Sequence, residues 1–175
     1  MPERQLLLLR HAKAVTAESG MDDFTRPLAE RGVKDAAMVG SLLARHGLAP
    51  DLALVSPARR TRETWGLVAS QFEEPPEANF IDDLYDFGNG AGLLEAIRKH
   101  GGTAERLMLV THNPATAALA SALTGSGETA LRRRLAEKYP TAGLAIIAFA
   151  HGNWAETKMG DGRLEAFVTP RDLGG

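Results

Sequence analysis

Leu6-Leu7-Leu8-Leu9-Arg10-His11 decides how this chain is read: four apolar residues in succession end in a guanidinium and an imidazole. A short apolar run without alternation fits a strand buried on both faces, as in parallel sheets. In open α/β sheets ligands bind beyond the carboxyl ends of the strands, so Arg10 and His11 fall where chemistry is usually placed. By itself the dipeptide reads as two turn residues, but two further stretches change that. Leu52–Val55 ends in Ser56-Pro57, which reads as a helix N-cap followed by a first-turn proline, with Arg60 in that turn. Residues 107–110 end in Thr111-His112-Asn113-Pro114, where Asn113 or Thr111 is placed to cap a helix beginning at Pro114.

If the three runs are neighbouring parallel strands, Arg10, His11, Arg60 and His112 share one crevice. Two guanidiniums and two imidazoles beside helix N-termini suit a dianionic phosphoryl group. A neutral imidazole can attack phosphorus and leave again, while the other three groups offset charge on the equatorial oxygens.

The stretches Leu9-Arg10-His11-Ala12-Lys13-Ala14, Arg26-Pro27-Leu28-Ala29-Glu30-Arg31-Gly32, Ser56-Pro57-Ala58-Arg59-Arg60-Thr61-Arg62-Glu63-Thr64 and Val110-Thr111-His112-Asn113-Pro114 resemble, in order, the signatures of the histidine phosphatase superfamily. That superfamily includes the cofactor-dependent phosphoglycerate mutases. Its small SixA-type phosphohistidine phosphatases are the most similar branch, and residues 167–173 resemble the close of bacterial members.

The resemblance implies roles by position. His11 would be the transiently phosphorylated nucleophile, Arg10 its phosphate-binding neighbour, and Arg60, rather than Arg59 or Arg62, the pocket arginine. His112 would hold the phosphoryl group and stabilise the transition state. Arg26 would make a secondary substrate contact, a reading that competes with a loop-anchoring salt bridge. The family usually has glycine where Ala12 stands, a change a small side chain should tolerate. Many members also carry a glutamate that protonates an alkoxide leaving group, and the corresponding stretch here has no clear match. Asp83 and Asp86 are candidates for it, with solvated loop carboxylates the preferred reading. A phosphohistidine needs less help, because imidazole leaves far more readily than an alkoxide near neutral pH.

At 175 residues the chain is expected to form one domain, 1–175, with a substantial core. Twenty basic against 22 acidic residues give a net charge of -2, with the basic residues scattered, so no general nucleic-acid footprint is expected. The cluster Arg132-Arg133-Arg134 reads as a solvated helix face in preference to a docking patch for an acidic partner. The chain has no cysteine, which excludes disulfides, thiolate metal sites and cysteine-based phosphatase chemistry. The histidines lack paired ligand spacing, so no metal is expected. Neither a secretory signal nor a membrane span is read, and a cytoplasmic location is the default.

The element order reads as α/β alternation closing on a terminal strand pair, residues 154–158 and 163–168 around Met159-Gly160-Asp161-Gly162. Residues 143–150 read as a central strand. Val33, Ala36, Ala37, Gly40, Leu43 and Ala44 mark one helix face, ended by Gly47, and Ala117, Ala118, Ser121 and Ala122 a small-residue face. Such alternation predicts a three-layer α/β/α sandwich. The family resemblance implies a phosphoglycerate mutase-like mixed sheet, mostly parallel.

The expected function is a phosphatase working through phospho-His11, without metal or organic cofactor, on phosphohistidine in a partner such as a phosphotransfer domain or phosphocarrier. The alternatives are a phosphomonoesterase for a small phosphorylated molecule and a catalytically silent phosphate-binding module. A mutase needs a second substrate grip that the sequence does not display.

Overall fold

Leucines at positions 6 to 9 extend as β1 (Arg4–Arg10), and their side chains alternate between two cores. The computed structural model describes residues 3–174. It contains one seven-stranded sheet in the order β3-β2-β4-β1-β6-β7-β5. The first four of these are β3 (Glu77–Phe80), β2 (Leu52–Val55), β4 (Arg106–Thr111) and β1, all parallel. β6 (Leu144–Phe149) runs antiparallel to β1 and to β7 (Gly162–Val168), and β5 (Thr124–Gly127) pairs parallel with β7. Only β6 is reversed, in agreement with a mixed, mostly parallel sheet.

Helices cover both faces. Leu7, Leu9, Val55 and Val110 pack with α1 (Glu30–Arg45) and α2 (Arg59–Ala69). Leu6, Leu8, Leu54 and Leu109 pack with α3 (Ala91–His100), α4 (Ala115–Leu123) and α5 (Thr129–Glu137). The result is the expected α/β/α sandwich. Continuous apolar strands are what a sheet covered on both faces requires.

Two glycines set how closely α1 approaches its neighbours. A Cβ on Gly32 would stand 2.1 Å from the Lys13 carbonyl oxygen, and one on Gly40 would stand 2.7 Å from the Val68 carbonyl of α2. This tight seating rotates the buried face to Gly32, Asp35, Ala36, Val39, Gly40 and Leu43, and leaves Val33 exposed. The α4 face likewise differs from the small-residue reading. Ala115, Thr116, Leu119, Ala120 and Leu123 are buried, because the two leucines outweigh the alanines in apolar area, whereas Ser121 is exposed.

The terminal hairpin is replaced by another arrangement. Trp154–Glu156 is a short 3₁₀ turn closed by the Asn153 side chain accepting from the Ala155 amide. Trp154 is fully buried and donates its indole N–H to the Ala104 carbonyl, which draws this stretch under α3 and away from the sheet. β7 finds its partners in β6 and in β5, the Thr-Gly-Ser-Gly edge strand. Arg132, Arg133 and Arg134 lie on α5 with exposed side chains.

Candidate active site

The three strand ends stop level with one another. Leu9 pairs with Val110, Arg10 with Thr111, and Val55 with Val110. The His11 amide then donates to the Thr111 carbonyl at 3.0 Å and the Ser56 amide to the Val110 carbonyl at 3.1 Å. Residues 11, 56 and 112 therefore leave the sheet side by side. The rings of His11 and His112 lie 5.3 Å apart, centroid to centroid.

His11 is 7% exposed, and its Nδ1 lies 2.7 Å from the Ala12 carbonyl oxygen. A carbonyl only accepts, so Nδ1 carries the proton and Nε2 presents its lone pair. Burial is the main force lowering the ring's pKa to about 4. The guanidiniums of Arg60, Arg10 and Arg26 add to it, and the Ala12 bond opposes it. Ala12 lies outside the left-handed region, so the family's glycine is not needed there. Its amide is held by the Thr64 hydroxyl at 3.0 Å.

His112 is fully buried and sits at about 3, lowered by burial first and then by His11 and Arg60, with the Asp23 carboxylate opposing. Its Nε2 is 2.7 Å from the Ser56 hydroxyl. That bond explains why Ser56 does not cap α2: its hydroxyl is spent on the imidazole, and Ala58 takes the N-cap position without a side-chain bond. Arg60 still lies in the first turn of α2. At α4 the N-cap is Pro114, while Asn113 Oδ1 accepts from the Ala117 amide at 3.2 Å and the Thr111 hydroxyl pairs with Thr116.

The cations are anchored from behind. Arg10 donates to the Tyr139 carbonyl at 2.9 Å, and Arg26 to the Val15 carbonyl and Asp23 at 3.1 Å each. Arg60, 1% exposed, donates to the Asp23 backbone oxygen at 2.8 Å and to its Oδ2 at 3.1 Å. Nε of Arg10, Arg26 and Arg60 and Nδ1 of His112 are buried with no hydrogen-bond partner among the described residues. Buried polar nitrogens left without a partner are costly in a folded protein.

Several contributors escape a reading by motif. Asp23 binds Arg60, Arg26 and the Tyr85 hydroxyl, the last at 2.5 Å. The Tyr85 bond above all, and the guanidiniums after it, hold its carboxyl at about 2 against the raising effect of burial. Its one sequence signal is its place three residues before Arg26. Tyr85 and Phe87 contact the His112 ring at 5.3 and 4.8 Å, from the loop after β3. Ala142, buried with φ +58°, donates its amide to the carbonyls of Arg10 and His11. Of the two candidate acids, Asp86 accepts from the Gly88 amide and lies against Gly92 at the start of α3. Asp83 is exposed and lines a cavity with Gly92, Lys99 and His100. Both fit the loop-carboxylate reading.

Among the described residues, no cluster of three or more His, Asp or Glu side chains is arranged to hold a metal ion, and no helix is long and apolar enough to cross a membrane. Residues 6–92 match the histidine phosphatase superfamily (branch 1). An uncharacterised protein of Mycobacterium tuberculosis is 36% identical over 165 residues, 93% of this chain and 100% of the relative. A structure assigned as the phosphohistidine phosphatase SixA of Agrobacterium tumefaciens is 32% identical and superposes with a TM-score of 0.80 over 97% of this chain and 99% of that one. A protein histidine phosphatase SixA complexed with tungstate, 20% identical, shares the fold with a TM-score of 0.76 over 97% and 99% of the two chains. These likenesses support phosphatase activity. The chain belongs to the histidine phosphatase superfamily, in its SixA-type group.

Proposed function

We propose that residues 1–175 act as one domain that hydrolyses phosphohistidine on a partner protein through phospho-His11. The observation that carries this reading is the buried imidazole pair beside three guanidiniums, with a carboxylate, Asp23, held too acidic to protonate a leaving group at neutral pH. His11 Nε2 attacks phosphorus in line, and the bond from phosphorus to the substrate's ring nitrogen breaks. Its electron pair returns to that ring, which leaves as neutral imidazole once its far nitrogen carries a proton. Water then attacks phosphorus, the bond to His11 Nε2 breaks, and phosphate departs with one water proton released to solvent. Arg10, Arg60 and the Nδ1 side of His112 bind the equatorial oxygens, and Arg26 binds from the rim. An alkyl phosphate would release a strongly basic alkoxide, which Asp23, ionised at neutral pH, could not protonate.

Phosphorylated donors labelled at phosphorus test the scheme. The native protein is expected to trap an acid-labile phosphoryl group that His11→Ala does not trap, and to turn over phosphohistidine and phosphoramidate far faster than alkyl phosphates. Label persisting in His11→Ala would remove the nucleophile, and faster alkyl ester hydrolysis would favour a small-molecule phosphomonoesterase. Absence of label and turnover in the native protein would leave a phosphate-binding module.

A further inference from the structure

The crevice mouth carries a feature that binding of phosphate does not explain. Phe24, Tyr85 and Phe87 form an unbroken row of rings ending on His112. Phe24 meets Tyr85 at 5.3 Å, Tyr85 meets Phe87 at 5.0 Å, and Phe87 meets His112 at 4.8 Å. Both phenylalanines stand nearly perpendicular to Tyr85, at 83° and 87°. Tyr85 is fixed by its hydroxyl on Asp23, which also holds Arg60, so the aromatic row and the anion site share one support. Phe24 and Phe87 nevertheless remain 38% and 44% exposed. Rings that serve only the core are covered, whereas these two stay partly open, Phe87 against the His112 ring and Phe24 one ring further out.

We infer that Phe24, Tyr85 and Phe87 form a slot for the planar ring of the leaving group, and so select substrates whose phosphorus is bonded directly to an aromatic ring system such as imidazole. This rests on the proposed phosphatase reading and specifies what that same site recognises. Two properties of the crevice converge on it. With Asp23 ionised and Asp86 committed to Gly88, the leaving group must be a good one without protonation by a carboxyl. Imidazole bonded through its nitrogen is such a leaving group, and its planar ring is also what edge-to-face and offset aromatic contacts reward over an alkyl chain of equal area. The Arg60 guanidinium lies 6.0 Å from the Phe87 ring centroid, which keeps that ring beside the anion site. A ring attached to a bound phosphoryl group and pointing away from His11 would leave along this row.

Binding of two phosphonates that cannot be hydrolysed separates the ring from the anion. Phenylphosphonate is expected to bind the native protein roughly tenfold more tightly than methylphosphonate by calorimetry, and Phe24→Ala and Phe87→Ala each to erase most of that ratio. Phe24→Tyr and Phe87→Tyr should restore it, which a purely structural role would not require. In turnover, the same alanine variants are expected to lose roughly tenfold more kcat/KM on free phosphohistidine than on phosphoramidate, which has the P–N bond but no ring. Equal affinities for the two phosphonates, or equal losses on the two substrates, would overturn the slot. A loss confined to a phosphorylated protein, with free phosphohistidine unaffected, would also overturn it and make the row a protein-docking surface. Ring-selective binding in a protein that hydrolyses no P–N bond would sustain the slot and defeat the phosphatase reading instead.

Discussion

The two halves of the sheet do different work. In the half made of β3, β2, β4 and β1, every strand ends at the crevice and is followed by a side chain that faces it: Phe87, Ser56, His112 and His11. The half made of β6, β7 and β5 contributes backbone groups. Because β6 runs the other way, it is the start of this strand that lies beside the crevice, with Leu144 opposite Leu9. The segment before it supplies the Tyr139 carbonyl to Arg10 and the Ala142 amide to the Arg10 and His11 carbonyls. Parallel strands gather chemically active loops at one end, and a reversed strand there serves as a brace.

Paired substitutions at the ends of that contrast have the largest expected effect. Trp154 lies past the far end of β6, fully buried, and Trp154→Ala should cost about 3–5 kcal/mol in urea unfolding while the folded protein keeps its kcat/KM within about twofold. Arg60→Ala should do the reverse. Its removal deletes two bonds to a half-exposed aspartate but also a buried side chain, so stability falls by about 1–2 kcal/mol, well short of the Trp154 loss, while kcat/KM falls roughly 10²- to 10³-fold. Loss of activity in Trp154→Ala beyond its unfolded fraction would show that the far half shapes the crevice and does not merely brace it.

The same asymmetry governs what could be read from the sequence. The motif half was legible because β1, β2 and β4 each carry a bare apolar run followed by a polar group of distinctive chemistry, so His11, Arg60 and His112 announce themselves one strand at a time. β5 has no apolar residue to signal a strand; it is defined by its pairing with β7, and only a glycine at 125 can pass so close to Gly160, where a Cβ would stand 1.9 Å from a carbonyl oxygen. Residues 154–158 look like a strand until Trp154 finds the Ala104 carbonyl, a contact 50 residues away that no local pattern encodes. Asp23, Tyr85 and Phe87 were hidden for a related reason. Their meaning lies in mutual contacts across 62 positions of chain, and singly each is an ordinary loop residue.

A second way to sharpen the comparison is acid. The motif half buries two histidines, whereas the far half buries none as deeply. His11 is held at about 4 in the folded protein and takes the ordinary value near 6.5 when unfolded, so between those values only the unfolded chain gains the proton. The His11 contribution to stability therefore falls as pH drops from about 6.5 to 4 and then levels, a loss of about 3 kcal/mol. His112 acts in the same direction. Urea midpoints at pH 7, 5.5 and 4.5 should decline much less steeply in His11→Gln/His112→Gln than in the native protein. Parallel declines would show that the two rings titrate normally and that the crevice is wetter than its burial suggests. The acid limb of kcat/KM should likewise lie well below the usual imidazole range, because neutral His11 persists there.

The smallest expected effect tests whether the support under Arg60 also opposes its ligand. Asp23 places a carboxylate on the guanidinium that is proposed to bind phosphate, so an incoming dianion meets a like charge and must take over part of its hydrogen bonding. Asp23→Asn keeps the shape and the Arg60 contact through its backbone oxygen, and removes the charge. Inorganic phosphate should then inhibit roughly 3- to 10-fold more strongly, the size expected of one partly exposed charge several ångströms away. The gain should shrink as salt is raised. Weaker inhibition would mean that holding Arg60 and Tyr85 in place outweighs repulsion. Asp23 would then belong with Tyr139 and Ala142 as a brace, and the division between the two halves would no longer follow the sheet.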